Sequence, residues 1–265
     1  MIEIMGVVNV TPDSFSDGGE FFTADNAVAH GHDLIALGAT ILDVGGESTR
    51  PGSEPVGAEE ETRRALPALT QLAASGYRIS VDTYRAVVAE RAVSAGAAII
   101  NDVSGGLADP DILRVAASGG AEFIIGHWRG PSSDMYARAD YERIGAEVAD
   151  ELARRADAAI AAGIDSAKIV LDPGIGFAKS GDQNWAMLHE LDAVSSLGFR
   201  VLIGTSRKRF LDTALGAGAT RDRRDLATAV TSVLAQQAGA WGVRVHDVTA
   251  TRDALAVLDA WEAER

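Results

Sequence analysis

The feature that most constrains this chain is a repeat of pattern rather than of residues. Eight short apolar, often β-branched runs recur, each followed by turn residues and then by apolar residues at helical spacing. The runs are 2–8, 40–44, 78–81, 98–101, 121–126, 168–171, 200–203 and 241–245. The helical patterns cover 24–37, 58–75, 85–95, 109–118, 141–162, 185–196, 223–239 and 251–261. Gly38, Gly76, Gly96, Gly119, Gly163, Gly198 and Gly239 stand where a helix is expected to end on glycine before the next strand. Strands alternating with helices imply a parallel sheet. Eight units predict an α/β fold closed into a (β/α)8 barrel, a TIM barrel, with 1–265 as one domain. A doubly wound open sheet is the main rival, and periodicity alone does not separate the two.

Composition narrows the function classes. The formal net charge is −14, which argues against a nucleic-acid or anionic-membrane surface. It also requires that any anionic substrate meet a local cluster of cations or a metal. Cysteine is absent, which removes disulfides, thiolate metal sites and a cysteine nucleophile. No apolar run approaches the ~18 residues of a membrane span. The first residues enter a strand pattern with no basic n-region, so no signal peptide and a cytoplasmic location are expected.

In a barrel the carboxyl ends of all strands meet at one face, where active sites are built. Here all eight ends are polar: Asn9, Asp43 to Arg50, Asp82, Asn101-Asp102, His127, Asp172, Gly204 to Lys208, and Arg244 with His246-Asp247. Any one of these can be a helix cap, but capping alone does not explain eight. Asp82, Asn101 and Asp172 offer acceptors suited to a flat, donor-rich heterocycle. For Asp82 an N-cap, and for Asp172 a turn, remain open readings. Arg244 and His246 alternate with Val243 and Val245, so both project to one side of the last strand. In a barrel that side is the interior, where an arginine needs an anion, and a fork beside a second donor suits phosphate. Lys208 lies in an unusually basic run, Ser206 to Arg209. His127 ends the fifth strand with no role assigned by the pattern, while Trp185 and Trp241 read as packing residues. No zinc-type spacing is present, so a metal here would be a hard cation held by oxygens.

The stretch from Gly6 to Gly19 leaves the first strand and abandons the apolar pattern. Thr11 to Ser14 and Ser16 to Gly19 are turn chemistry around a lone Phe15. A long early loop of this kind is usually functional or disordered.

These motifs resemble the dihydropteroate synthase family along essentially the whole chain. The resemblance rests on 9–19, 43–52, Ser80 to Thr83, Ile100 to Gly106, Leu171 to Phe177, Thr205 to Lys208 and Arg244 to Asp247. Trp128 stands where many members carry Met, and Arg209 where many carry Ser. The resemblance implies condensation of 6-hydroxymethyl-7,8-dihydropterin pyrophosphate with 4-aminobenzoate, assisted by Mg2+, in a homodimer. It implies that Asp82, Asn101, Asp172 and Lys208 hold the pterin. It assigns Arg244, His246 and Asn9 to the pyrophosphate, with Asn9 also on the metal. Phe15, Asp17, Thr49, Arg50, Pro51 and Phe177 would enclose the aminobenzoate, and Asp17, Lys208, Arg244 and His246 would carry the chemistry. Rival readings are a pterin-binding methyltransferase domain, a catalytically silent homologue, and an unrelated phosphate-binding aldolase with Lys208 as Schiff-base lysine.

Overall fold

A computed structural model describes residues 2–11, 24–48, 55–131 and 136–263. Of the residues singled out above, Phe15, Asp17, Thr49, Arg50 and Pro51 lie outside them. The chain runs β1 (Glu3–Asn9), α1 (Ala24–Leu37), β2 (Ile41–Gly45), α2 (Ala58–Ala74), β3 (Ile79–Asp82), α3 (Ala86–Ser94), β4 (Ile99–Asp102) and α4 (Asp111–Gly119). It continues β5 (Glu122–Gly126), α5 (Ile144–Ala161), β6 (Ile169–Asp172), α6 (Gly181–His189), α7 (Leu191–Ser195) and β7 (Arg200–Ile203). α8 (Asp212–Leu215), α9 (Arg221–Gln237), β8 (Gly242–Val245) and α10 (Val248–Ala263) complete it. Each strand pairs in parallel with the next, and β8 pairs with β1, so the sheet closes. Closure removes the open-sheet rival.

Adjacent apolar residues in the strands face opposite ways, as the period of two demands. In Ile41-Leu42, Ile99-Ile100, Ile124-Ile125, Val170-Leu171 and Leu202-Ile203, the second residue of each pair packs outward under the helices. The first residues join Met5 in a separate cluster inside the barrel, with Trp241 against it. All six of these interior side chains are fully buried. At about 1.5–3 kcal/mol for each such burial, this layer is a solid plug. It divides the barrel interior into two ends.

Local signals explain where the elements differ from the sequence reading. The expected helix over 185–196 is two. It starts early, at Gly181, because Ser180 and Gln183 form a capping box. It breaks at Glu190, whose carboxylate accepts from the Gly145 amide at 3.0 Å. α4 runs through Gly119, and Gly120, at φ +64°, takes the left-handed position. α10 begins three residues before the expected start, with Asp247 accepting from the Ala250 amide at 2.9 Å. α8 is a single short turn within what reads as loop.

Candidate active site

The strand ends sort by parity. Asp82, Asn101, Asp172, Arg244 and His246 face the barrel axis, where with Phe177 and Lys208 they line a cavity that opens to solvent. Asn9 shares the inward face of Met5, four residues before it on β1, and lies beside Gly45. Residues of opposite parity are structural. Asp102 is fully buried and accepts from the amides of Ser104 and Gly106 at 2.7 and 2.6 Å. Thr205 bonds Thr231 at 2.8 Å. Polarity at all eight ends thus mixes two populations, and only the inward one builds the pocket.

Three acidic groups and two basic ones dominate its electrostatics. Arg244 reaches across the barrel, donating from Nε to Asp43 at 2.6 Å and from Nη2 to Asp82 at 2.8 Å. Its inward projection is therefore met by two carboxylates of the protein itself. Asn101 donates from Nδ2 to the same Asp43 oxygen at 3.1 Å, which leaves its carbonyl oxygen as the acceptor for a ligand. Burial pushes the Asp82 carboxyl up to about 7, against the pull of Arg244. Burial also raises Asp172, opposed by Lys208 and by the Gly174 amide, which donates to Asp172 Oδ1 at 2.7 Å. Burial lowers Lys208 to about 8 while Asp172 supports its charge. Arg244 is half-buried, and its partial desolvation opposes its charge, but Asp43 and Asp82 hold it protonated above the ordinary arginine range.

Lys208 crosses to the β6–α6 loop, where its ammonium donates to the Ile175 carbonyl and stands 4.6 Å from the centroid of the Phe177 ring. His246 is set by Ser206. The Ser206 oxygen accepts from the His246 amide at 3.0 Å and pairs with Nδ1 at 2.9 Å. The hydroxyl still has its proton to give, and donation to Nδ1 would leave the ring N–H of His246 on Nε2.

Two non-glycine residues among those described have positive φ, Ala178 at +48° and Arg207 at +58°. Each is the hinge of a pocket loop: Ala178 follows Phe177, and Arg207 separates Ser206 from Lys208. Strain of this kind gathers at sites where side chains must be aimed. Arg207 itself turns away and binds Asp225 bidentately at 2.6 and 2.9 Å.

Some participants escape sequence reasoning. Asp43 is recognisable as a strand-end acid, but its ties to Arg244 and Asn101 span β2, β4 and β8 and leave no local signal. Ser206 is hidden inside a basic run. Lys179 looks like an ordinary loop lysine, yet it is buried with 1% of its surface exposed. Parity is the usable clue: counted from Ile41, Asp43 faces inward.

A closed parallel barrel with perturbed acids and bases at its carboxyl rim defines an enzyme of the (β/α)8 class. The model of the pterin binding enzyme family matches residues 5–246. A dihydropteroate synthase of Mycobacterium leprae is 48% identical over 98% of this chain and 93% of its own length. The solved Xanthomonas albilineans dihydropteroate synthase with 4-aminobenzoic acid is 43% identical, with a TM-score of 0.92 over 99% of this chain and 93% of that one. A second structure of that synthase, in complex with 7,8-dihydropteroate, is 41% identical with a TM-score of 0.88, covering 99% of this chain and 94% of that one. The chain belongs to the dihydropteroate synthases of the pterin binding enzyme family.

Proposed function

We propose that this pocket joins the methylene carbon of 6-hydroxymethyl-7,8-dihydropterin pyrophosphate to the nitrogen of 4-aminobenzoate, giving 7,8-dihydropteroate and pyrophosphate. The observation that carries the reading is the convergence of Asp82, Asn101, Asp172 and Lys208 on one cavity that also receives Arg244 and His246. The first four suit a flat ring with several N–H donors and a carbonyl acceptor. Arg244 and His246 suit a phosphate. With Nε and Nη2 of Arg244 committed to carboxylates, Nη1 is the nitrogen that would meet a phosphate oxygen.

The chemistry is a substitution in which the C–O bond to pyrophosphate breaks first. Its electron pair leaves on the pyrophosphate, and the ring delocalises the positive charge left on the methylene. The arylamine nitrogen then attacks and afterwards loses its proton, so no strong base is needed. Arg244 and a ring N–H of His246 stabilise the charge that develops on the leaving group. Asp82 and Asp172 hold the ring and favour its cationic character. Phe177, together with Phe15, Asp17, Thr49, Arg50 and Pro51 from the loops, is assigned to the arylamine by family resemblance.

Mg2+ enters the same reading. No cluster of three or more His, Cys, Asp or Glu suited to a metal exists among the described residues. Asn9 supplies a neutral oxygen at the rim, which fits an ion that takes most of its ligands from phosphate and water. Bound there, the ion would neutralise charge on the pyrophosphate.

The protein is further read as a cytoplasmic homodimer; among the described residues no helix is long and apolar enough to cross a membrane. Leu226, Val230 and Leu234 are more than half exposed at four-residue spacing on α9, beside exposed Val257 and Trp261 on α10. This stripe is assigned to a second copy of the chain. Leu234→Glu should convert the dimer to a monomer in sedimentation, and an unchanged mass would remove the assignment.

Pyrophosphate release tests the main reading. It should require both 4-aminobenzoate and Mg2+, and release independent of the amine would sink the synthase mechanism.

A further inference from the structure

The β6–α6 loop from Gly174 to Ser180 carries Phe177 and follows directly on Asp172, yet it is almost without regular structure. Side chains instead hold its carbonyls one after another. Lys208 takes Ile175, Tyr141 donates to Ala178 at 2.9 Å, and Asn184 donates to Lys179 at 3.1 Å. The remaining anchor is Lys179, whose ammonium sits beneath the loop 3.2 Å from the Gly174 carbonyl and 3.2 Å from that of Phe177. Its third hydrogen goes to His127 Nδ1, 3.0 Å away. All three donors of a buried ammonium are used.

His127 completes the connection. It is 2% exposed at the end of β5, and its Nε2 lies 2.9 Å from a Glu151 carboxylate oxygen that Arg129 also engages. Because Nδ1 accepts from Lys179, Nε2 carries the proton and donates to Glu151. Gly174, at φ +66°, packs so closely here that a Cβ would come within 2.5 Å of the His127 carbonyl. The loop is thus stapled to the end of β5 through one lysine and one imidazole.

We propose that Lys179 and His127 are a positioning pair: they clamp the Gly174–Phe177 turn against β5 and supply Asp172 with a second buried positive charge behind Lys208. Neither touches the cavity. The charged and titratable groups around Lys179 are Asp172, Lys208, Arg129, Glu151, His127 and the ring of Tyr141, whose centroid is 5.9 Å from Nζ. Among these, burial and then the ammonium and Arg129 keep His127 neutral, down at about 4, with Glu151 opposing. Burial lowers Lys179 to about 7, and Asp172 works against that. Below neutrality, therefore, the ammonium is charged and helps to keep Asp172 ionised as an acceptor for N–H groups of the ring. The charges acting most on Asp82 are Arg244, Asp43, Glu61 and Asp102, so the effect is specific to Asp172.

This inference rests on the pocket being a pterin site, and the test separates the two. Binding of free pterin is measured by calorimetry across acid to neutral pH in the wild type and in Lys179→Met, a variant of similar volume. The variant should bind about tenfold more weakly at neutral pH, and its acid limb should move to higher pH because Asp172 protonates earlier. An unchanged affinity, or a loss that is uniform at every pH, overturns the proposal. If the wild type binds no pterin, it is the functional reading that fails. Should Lys179→Met not fold, long-range 1H–15N correlation on the wild type still decides. His127 should be the Nε2–H tautomer and should not titrate between about pH 5 and 8. An Nδ1–H tautomer, or titration near the ordinary histidine value, removes the Lys179 donation and the proposal with it.

Discussion

Both ends of this barrel put arginines and carboxylates around the interior plug, but among the described residues those at the carboxyl end line an open cavity and those at the amino end pair with each other. At the amino end, Arg78 bonds Glu3 at 3.2 Å and also Glu122, which Arg200 meets at 2.6 Å. Arg78 and Arg200 stand 5.7 and 4.9 Å from the Trp241 ring. Two positive and two negative groups cancel at the edge of solvent, over an aromatic lid. At the carboxyl end, Arg244 lies between Asp43 and Asp82, and Lys208 and Asp172 stand half-buried at an open cavity. Charges at the first end are matched to each other. Those at the second are held under strain, with Asp82 pushed up and Lys208 pushed down by burial. What separates a structural ion cluster from a functional one is the environment, not the residue types.

The sharpest way to break this comparison is to remove one arginine from each end. Arg244→Ala should cost at least one charge-assisted contact to the leaving group, about 2–4 kcal/mol, or roughly 30- to 1000-fold in kcat/KM. Arg78→Ala should leave kcat/KM within about twofold and lower stability by about 1–2 kcal/mol, as expected for partly exposed pairs with a cation–π contact. Steady-state kinetics and urea unfolding on both variants check this. If Arg78→Ala loses activity at full stability, the two ends are not functionally distinct.

The ends also differ in how much of them is legible in the sequence. Alternation in a stretch such as Ile41-Leu42-Asp43 gives strand, facing and rim together, because the period of two is a local property. The same parity sorts Asn101 from Asp102 and Asp82 from Thr83. Pairing is not local. The partners of Arg244 lie 201 and 162 residues away, so an arginine that reads as awaiting an anion is already ion-paired in the fold. Glu122 and Arg200 read as ordinary strand-start charges, and only barrel closure brings them together. Lys179 was opaque for another reason: its burial comes from a loop whose path no periodicity describes. Helix boundaries slipped where a cap decides them, as at Ser180 with Gln183 and at Gly120.

A smaller effect sharpens the comparison through pH. A carboxyl raised from 3.8 to about 7 on folding binds more protons in the native than in the unfolded state across that interval. The unfolded state is then the one with fewer protons, so the contribution of Asp82 to stability falls as pH rises from about 4 to 7. Asp82→Asn cannot titrate. Its melting temperature relative to the wild type should therefore climb over that interval, even as ring binding is lost. A constant difference would mean that Asp82 is ionised throughout, and that its carboxylate is as settled as those at the amino end.

The smallest expected effect concerns the hinge that aims Lys208. Arg207 holds φ +58° and a bidentate ion pair with Asp225, and the two make opposite contributions. The left-handed backbone costs a non-glycine residue about 1–2 kcal/mol, while the partly exposed pair returns about 1 kcal/mol at most. Arg207→Ala discards the pair and keeps the strain; Arg207→Gly discards both, at the expense of about 0.5–1 kcal/mol in unfolded-chain entropy. Glycine should therefore be the more stable of the two by up to about 1 kcal/mol, or about 2–4 °C in Tm for a chain of this size. Ring affinity should fall in both, because Ser206 and Lys208 lose the anchored residue between them. If alanine is instead the more stable variant by the about 0.5–1 kcal/mol of chain entropy, the hinge stores no strain. Lys208 is then aimed by its contacts with Ile175 and Phe177 alone.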